Sequence, residues 1–140
     1  MKMNFKSSKK SKDCKRSFIA SVLLFIFMLS LSSIVYASSY TTTVDFRKDY
    51  NGSVREFNGN NIRYTATMSS DKKNDSGTYV VRLDRESGIW AFEVGRKTLK
   101  RVGPGKAEWS NVGSGRYRLG FEKADDNVWL SSKNVVIKNY

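Results

Sequence analysis

The stretch Ile62-Arg63-Tyr64-Thr65-Ala66-Thr67-Met68 alternates strictly between apolar and polar side chains. Its four apolar members share one face, and the arginine and the two threonines share the other. A period of two is typical of a β-strand with one face in a core and one in water. The stretch therefore predicts a strand of an antiparallel sheet.

The same alternation recurs on both sides of this stretch. Residues 78–84 place Tyr79, Val81 and Leu83 on one face, and residues 116–123 do the same with Tyr117, Leu119 and Phe121. Turn-forming Asn, Asp, Gly and Ser residues separate these runs, and hardly any helical pattern is present. We expect an all-β domain over residues 38–140. Its predicted architecture is a small antiparallel β-sandwich, Ig-like or jelly-roll-like, with seven or eight strands.

Residues 89–94 form an apolar strand pattern between Gly88 and Gly95. Because Ile89-Trp90-Ala91-Phe92 is apolar on both faces, it predicts a central strand, with Trp90 in the core. Trp129 lies in a similar apolar run and is also expected in the core. The following segment, residues 95–106, is expected to be a loop or loose hairpin that ends in a Pro104-Gly105 turn.

The N-terminal residues 1–37 have the composition of an export signal. Residues 1–16 carry seven Lys and Arg against one acid, and no charged residue occurs between Ser17 and Val44. Val35-Tyr36-Ala37 fits a cleavage site, so we expect a signal peptide with a helical apolar segment, cleaved after Ala37, and a secreted domain. The alternative is an uncleaved membrane anchor formed by residues 18–36, with the domain outside the cell.

The composition of residues 38–140 excludes several kinds of chemistry. The protein has no histidine, and its one cysteine, Cys14, precedes this segment. Imidazole bases, thiol nucleophiles and the usual zinc ligands are therefore absent from it. Glu93 and Glu108 flank aromatic positions and are the carboxylate pair that could share a groove in a glycosidase, but the domain is small for one. We expect a non-enzymatic protein without a cofactor or a metal.

Two short motifs share the pattern S-G-x-Y at the start of a strand. Asp75-Ser76-Gly77-Thr78-Tyr79 resembles the D-S-G-x-Y corner of immunoglobulin-type domains, in which the tyrosine hydroxyl pins a loop. Ser114-Gly115-Arg116-Tyr117 is a second copy that lacks the aspartate but lies in a more suitable place near the end of the chain. We interpret both as general features of β-sandwiches, and they indicate no particular family.

The candidate binding residues are a group of cations near the middle of the domain. Residues 38–140 hold 18 basic and 12 acidic side chains, a net charge of +6. Residues 95–106 contain five of the cations and no acid, so we expect this segment to contact an anionic cell-wall polymer or a lipid surface. The alternative is a solvated hairpin end. The five cations are Arg96, Lys97, Lys100, Arg101 and Lys106, and Trp109 is the tryptophan that we expect to be exposed as an aromatic contact.

These features predict a secreted, non-enzymatic cationic binding protein that acts at the bacterial cell envelope or extracellularly. The alternatives are a secreted antibacterial, membrane-active protein and a small carbohydrate-binding module. No motif indicates specific nucleic-acid recognition, and nothing in the sequence specifies a protein partner.

Overall fold

The structure, a computed structural model, describes residues 38–140, and the predicted signal peptide or anchor lies outside the described residues. The described chain consists of β-strands and their connections, so the all-β prediction is confirmed. No helix in this part of the chain has the length and hydrophobicity needed to cross a membrane. The strands are β1 (Ser39–Phe46), β2 (Asp49–Asn51), β3 (Arg55–Phe57), β4 (Ile62–Ser70), β5 (Thr78–Ser87), β6 (Trp90–Lys100), β7 (Gly103–Trp109), β8 (Gly115–Glu122) and β9 (Leu130–Asn139).

The strands form two antiparallel sheets. Sheet A has the order β1-β9-β4-β7, and sheet B has the order β2-β8-β5-β6, with β3 also paired to β8. Because β2 and β3 pair with successive parts of β8, they act as one interrupted strand. Counted in this way, eight strands are distributed between the two sheets in the order of a jelly roll. The strand order therefore selects the jelly roll from the two predicted sandwich types.

The hydrophobic core fills the space between the two sheets. In β4 the residues buried are Ile62, Tyr64, Ala66 and Met68, as the alternation predicted. Rings meet across the core, with 5.8 Å between the centroids of Tyr64 and Phe121. Within residues 38–140, the buried hydrophobic residues form one core, and all of them lie between positions 44 and 137.

The segment expected to be a loop is instead made of two strands. β6 continues to Lys100 and β7 begins at Gly103, so Arg101 and Val102 alone connect these two strands, which belong to different sheets. The predicted Pro104-Gly105 turn is wrong, because both residues pair with β4. β7 is an edge strand of sheet A, where a residue without an N–H is tolerated. Positive φ occurs one residue earlier, at Gly103 (97°).

The two S-G-x-Y motifs have different roles in the structure. The Tyr117 hydroxyl donates to the carbonyl groups of Val112 (2.5 Å) and Gly113 (2.9 Å), which fixes the turn before β8. The hydroxyl of Tyr79 instead lies 3.0 Å from the hydroxyl of Tyr64, inside the core. Only the second motif therefore pins its own loop.

We predict that Tyr117→Phe lowers the free energy of unfolding by about 1.5 kcal/mol. The substitution removes the hydroxyl that donates to the carbonyl groups of both Val112 and Gly113. Chemical denaturation of residues 38–140, monitored by circular dichroism, measures this change. Tyr50→Phe is the matched control, because the Tyr50 ring packs against the core and no hydrogen bond of its hydroxyl is found among the described residues. Equal stabilities of the two variants would contradict the role assigned to Tyr117.

Candidate binding surface

The five predicted cations do not form one surface. In β6, Lys97 is paired with the buried Val81, whereas Arg96 and Lys100 lie opposite Arg82 and Thr78. Cross-strand partners share a face of the sheet, so Lys97 points to the side of sheet B that faces sheet A. Arg96 and Lys100 point to its outer side.

Lys106 belongs to the other sheet. It lies between inward-facing residues of β7, so it points outward from sheet A, where its Nζ is 3.0 Å from a carboxylate oxygen of Glu108. Glu108 also accepts a hydrogen bond from Arg63 at 2.5 Å. Glu93 lies on the outer face of sheet B, so the predicted groove shared by Glu93 and Glu108 is wrong.

Arg101 is buried, with 5% of its surface exposed, and therefore does not serve as a surface contact. Its Nη1 lies 2.5 Å from Asp126 Oδ2 and 3.6 Å from Asp75 Oδ2. Its Nε donates to the carbonyl of Thr78 at 3.0 Å. A Cβ at Gly77 would come within 2.7 Å of the same Nε, so the glycine makes room for the guanidinium. Arg101 thus links the loop before β5, the loop after β8 and the crossover between sheets.

The carboxylates around Arg101 favour their charged forms. Burial by itself raises the pKa of Asp75, but hydrogen bonds from Gly77 N–H (2.9 Å) and the Ser70 hydroxyl (2.7 Å), together with Arg101, lower it overall. Hydrogen bonds from Lys123 and Arg101 hold the pKa of Asp126 well below its usual value of 3.8. Both carboxylates are therefore charged at neutral pH.

A network of ion pairs covers the outer face of sheet B. Arg82 bridges Asp84, at 2.8 Å, and Glu122. The guanidinium of Arg96 contacts both carboxylate oxygens of Glu93, at 2.9 and 2.6 Å. The hydrogen bonds from Arg96 lower the pKa of Glu93. Arg96 is thus engaged by an acid of its own strand, which leaves it less able to bind a foreign anion.

The tryptophans are arranged opposite to the sequence-based expectation. Trp109 is 5% exposed, because it ends the inward row of β7, and its indole lies 3.3 Å from where a Cβ at Gly95 would be. Trp90 and Trp129, expected in the core, are 66% and 48% exposed. The buried indole has therefore filled a space that a glycine of the opposite sheet leaves free.

Exposed apolar residues gather at the end of the β5–β6 hairpin. Ile89, Trp90 and Phe92 are 91%, 66% and 58% exposed, and Val94 is also exposed. We call these four residues the apolar tip. The predicted central strand at residues 89–94 is wrong, because β6 is the edge of sheet B. β7, which lies over β6, ends at the residue that packs on Gly95, so the part of β6 before Gly95 extends past it.

The backbone makes the apolar tip narrow. Ser87 pairs with Trp90, so Gly88 and Ile89 alone form the turn. Gly88 has a φ of 63°, a value that glycine adopts without a steric penalty and that suits the first central position of a type II′ turn. The tight turn holds Ile89 at the outermost point of the hairpin.

Cations and acids near the apolar tip lie on different faces of the hairpin. Arg85 pairs with Phe92, so these two side chains share the face that Trp90 also occupies, and Lys97 follows on this face farther along β6. The acids Glu86 and Glu93 lie on the opposite face, where Arg118 is 3.2 Å from Glu86. The aromatic face of the hairpin therefore has positive charge and no acid among the residues paired at its end.

Other concave features also lie within residues 38–140. Two are open clefts of about 370 Å³, one lined by Thr65, Pro104 and Asn134 among others and the other by Lys48, Asn51 and Glu122 among others. A cavity between the sheets near β1 and β2, lined by Tyr40, Tyr50 and Phe121 among others, has a volume of about 30 Å³, which is room for about one water molecule. Within residues 38–140, no three His, Cys, Asp or Glu side chains come together in a way that could hold a metal ion. Of the seven large apolar side chains that are exposed in this region, four belong to the apolar tip.

The sequence contained a signal for this site, although the interpretation of it was wrong. Ile89-Trp90-Ala91-Phe92 is apolar on both faces, as in a central strand, but it directly follows Gly88. A two-residue turn at Gly88 and Ile89 places such a run at the end of a hairpin, where neighbouring strands need not cover it.

We predict that Arg101→Met lowers the free energy of unfolding by about 3 kcal/mol, because it leaves Asp75 charged and buried without its partner. Lys100→Met is the control, since Lys100 is the exposed neighbour and has no ion pair within residues 38–140. Denaturant titration at neutral pH compares the two variants. Similar losses for both would show that Arg101 has no special structural role.

We also predict how stability depends on pH. The folded pKa values of Asp75 and Asp126 lie below the unfolded value of 3.8, and those of Glu93 and Glu108 lie below 4.5. The unfolded chain therefore binds more protons in acid, so these groups' stabilising contribution is complete above about pH 4.5 and is lost as the pH falls further. Without histidine, stability should change little between about pH 5 and 8. Arg101→Met should flatten the acid limb, and an unchanged limb would contradict this account.

A scan against protein-family models and a search of curated proteins gave no match to this chain, so it is assigned to no family and its function is argued from its own residues.

Proposed function

We propose that the protein is a secreted, non-enzymatic cationic binding protein that acts at the anionic surface of the bacterial cell envelope. Its principal contact is the apolar tip, aided by the cations on the aromatic face of the same hairpin. The observation that supports this role best is the exposure of Ile89, Trp90 and Phe92 together at the end of one hairpin. Large exposed apolar clusters mark interaction sites in soluble domains.

The size of the exposed cluster gives a reason for binding. Complete burial of one such side chain is worth about 1.5–3 kcal/mol, and the isolated domain leaves most of that gain unused at three neighbouring positions. Tryptophan and phenylalanine supply large contact areas with few side-chain torsions to fix. A surface that buries the apolar tip would therefore gain affinity from a small area of contact.

Electrostatics gives the proposed surface its sign. Residues 38–140 have a net charge of +6, and Arg85 and Lys97 lie on the aromatic face of the hairpin. Of the cations in residues 95–106, Lys97 lies on this face. Arg101 is buried, and Arg96 and Lys106 are paired with glutamates. An anionic envelope polymer or lipid would attract the domain from a distance, with an attraction that salt weakens.

Export is supported by the basic, then apolar, then small-residue order of residues 1–37. A non-enzymatic role is supported by the lack of histidine and cysteine in residues 38–140 and by the pairing of Glu93 and Glu108 with basic residues on opposite sides of the sandwich. These residues offer no acid–base pair around a common cleft.

The test is binding of residues 38–140 to isolated envelopes of a Gram-positive bacterium. We expect sedimentation with the envelopes, a marked reduction at high salt, and a reduction of about tenfold in affinity for Trp90→Ser. Trp129→Ser is the matched control, because it removes the other exposed tryptophan. Lys97→Gln should weaken binding more than Lys73→Gln, which removes an equal charge elsewhere. Binding that is insensitive to salt and to Trp90→Ser would refute the proposed function.

A further inference from the structure

We infer that the apolar tip inserts into the interfacial region of an anionic lipid bilayer. This inference rests on the proposed function and narrows its anionic surface to lipid. It depends on the shape of the hairpin, on the depth its apolar residues can reach, and on the positions of the nearby charges.

The shape of the apolar tip suits a surface that can be penetrated. Gly88 and Ile89 form a two-residue turn, so the end of the hairpin is convex and has no groove of its own. A wall polymer lying across it would cover one side and leave Ile89 largely in water. Acyl chains can surround a protruding side chain from all directions, and the side chain of Ile89 protrudes with 91% of its surface exposed.

The length of the apolar segment matches the bilayer interface. From Ile89 to Phe92 the strand advances by about 10 Å, at roughly 3.3 Å per residue. Apolar faces of interfacial segments enter about 5–10 Å into the boundary between headgroups and acyl chains. With Ile89 deepest, Trp90 and Phe92 would lie at the level where aromatic residues are favoured.

The charges near the apolar tip are suitable for anionic headgroups. Arg85 pairs with Phe92 on the same face, and its guanidinium donates from Nη2 to the Ser114 carbonyl at 3.0 Å. Arginine has five N–H donors, so the exposed Arg85 keeps others for headgroup phosphate when Phe92 is at the boundary. The long side chain lets the cation reach water or phosphate while its stem stays in apolar surroundings. The nearest acids, Glu86 and Glu93, lie on the opposite face, where Arg118 and Arg96 neutralise them.

Strand addition by another protein, or by a second copy, is less well supported. β6 is an edge strand, but its register shifts at Val94, and a bulge disturbs pairing with a new strand. Beyond the bulge, Arg96, Lys97 and Lys100 occupy the edge, and charged side chains there discourage strand addition. The part of β6 that lacks both the bulge and the charged side chains is therefore limited to its apolar end.

The inference is tested with residues 38–140, which contain the complete described core, and vesicles of defined composition. One set contains phosphatidylcholine alone, and the other contains about one third phosphatidylglycerol. We expect sedimentation with the anionic vesicles only, a blue shift of tryptophan emission, and quenching by lipids brominated near the headgroup. Ile89→Ser combined with Phe92→Ser should weaken binding by at least tenfold while Trp90 remains as the probe.

Val102→Ser combined with Trp129→Ser is the control, because both residues are exposed but lie outside the hairpin. Its vesicle affinity should stay within about twofold of the parent, and circular dichroism should show both double variants folded.

If the parent binds envelopes but not anionic vesicles, or if the Ile89/Phe92 variant binds vesicles as the parent does, the lipid inference is refuted and envelope binding stands. Binding to neither would refute the proposed function as well. Concentration-dependent dimerisation abolished by the Ile89/Phe92 variant, without vesicle binding, would identify a second copy as the occupant.

Discussion

The alternation of side chains along paired strands is the constraint on which this structure depends. It gives each sheet one apolar face, and the two faces enclose the core around Tyr64 and Phe121. The same geometry separates charges that are close in sequence. Lys97 and Arg96 are consecutive, yet they project to opposite sides of sheet B. A run of cations in a strand therefore cannot act as a single patch in the way that the same run could in a loop.

The unequal lengths of facing strands create the candidate site. β6 has 11 residues and β7 has 7, and β7 ends where Trp109 packs against Gly95. The side chains of β6 before this point continue the inward row without a sheet above them. A longer β7 would cover Trp90 and Phe92, the inward-facing residues of this part of β6. The exposure of Trp90 and Phe92 is thus a consequence of where the opposing sheet stops, and it costs the domain hydrophobic burial that a binding surface can recover.

The cations of this domain divide into those that hold the fold and those available to a partner. Arg101 joins three connections through Asp75, Asp126 and the Thr78 carbonyl, and its burial makes it a structural residue. Arg82 and Arg96 are held on the outer face of sheet B by acids. In these pairs a positive charge and a negative charge cancel. The net charge of +6 on residues 38–140 is therefore a better guide to long-range attraction than any local run of lysine and arginine.

The sequence by itself determined the properties that are local. Period-two alternation predicted the inward residues of β4, β5 and β8, and the absence of helical spacing predicted an all-β domain. The S-G-x-Y pattern marked the starts of two strands, but it did not show which of its tyrosines pins a loop, because only the Tyr117 hydroxyl bonds to the preceding turn. Only the tertiary structure decided which tryptophan is buried, that Arg101 lies inside, and that the strand order is that of a jelly roll. Burial at a sheet edge depends on what stacks above it, and that is set by residues far away in the chain, such as Gly95 opposite Trp109. A pattern within one strand carries no information about the length or the side chains of the strand that faces it.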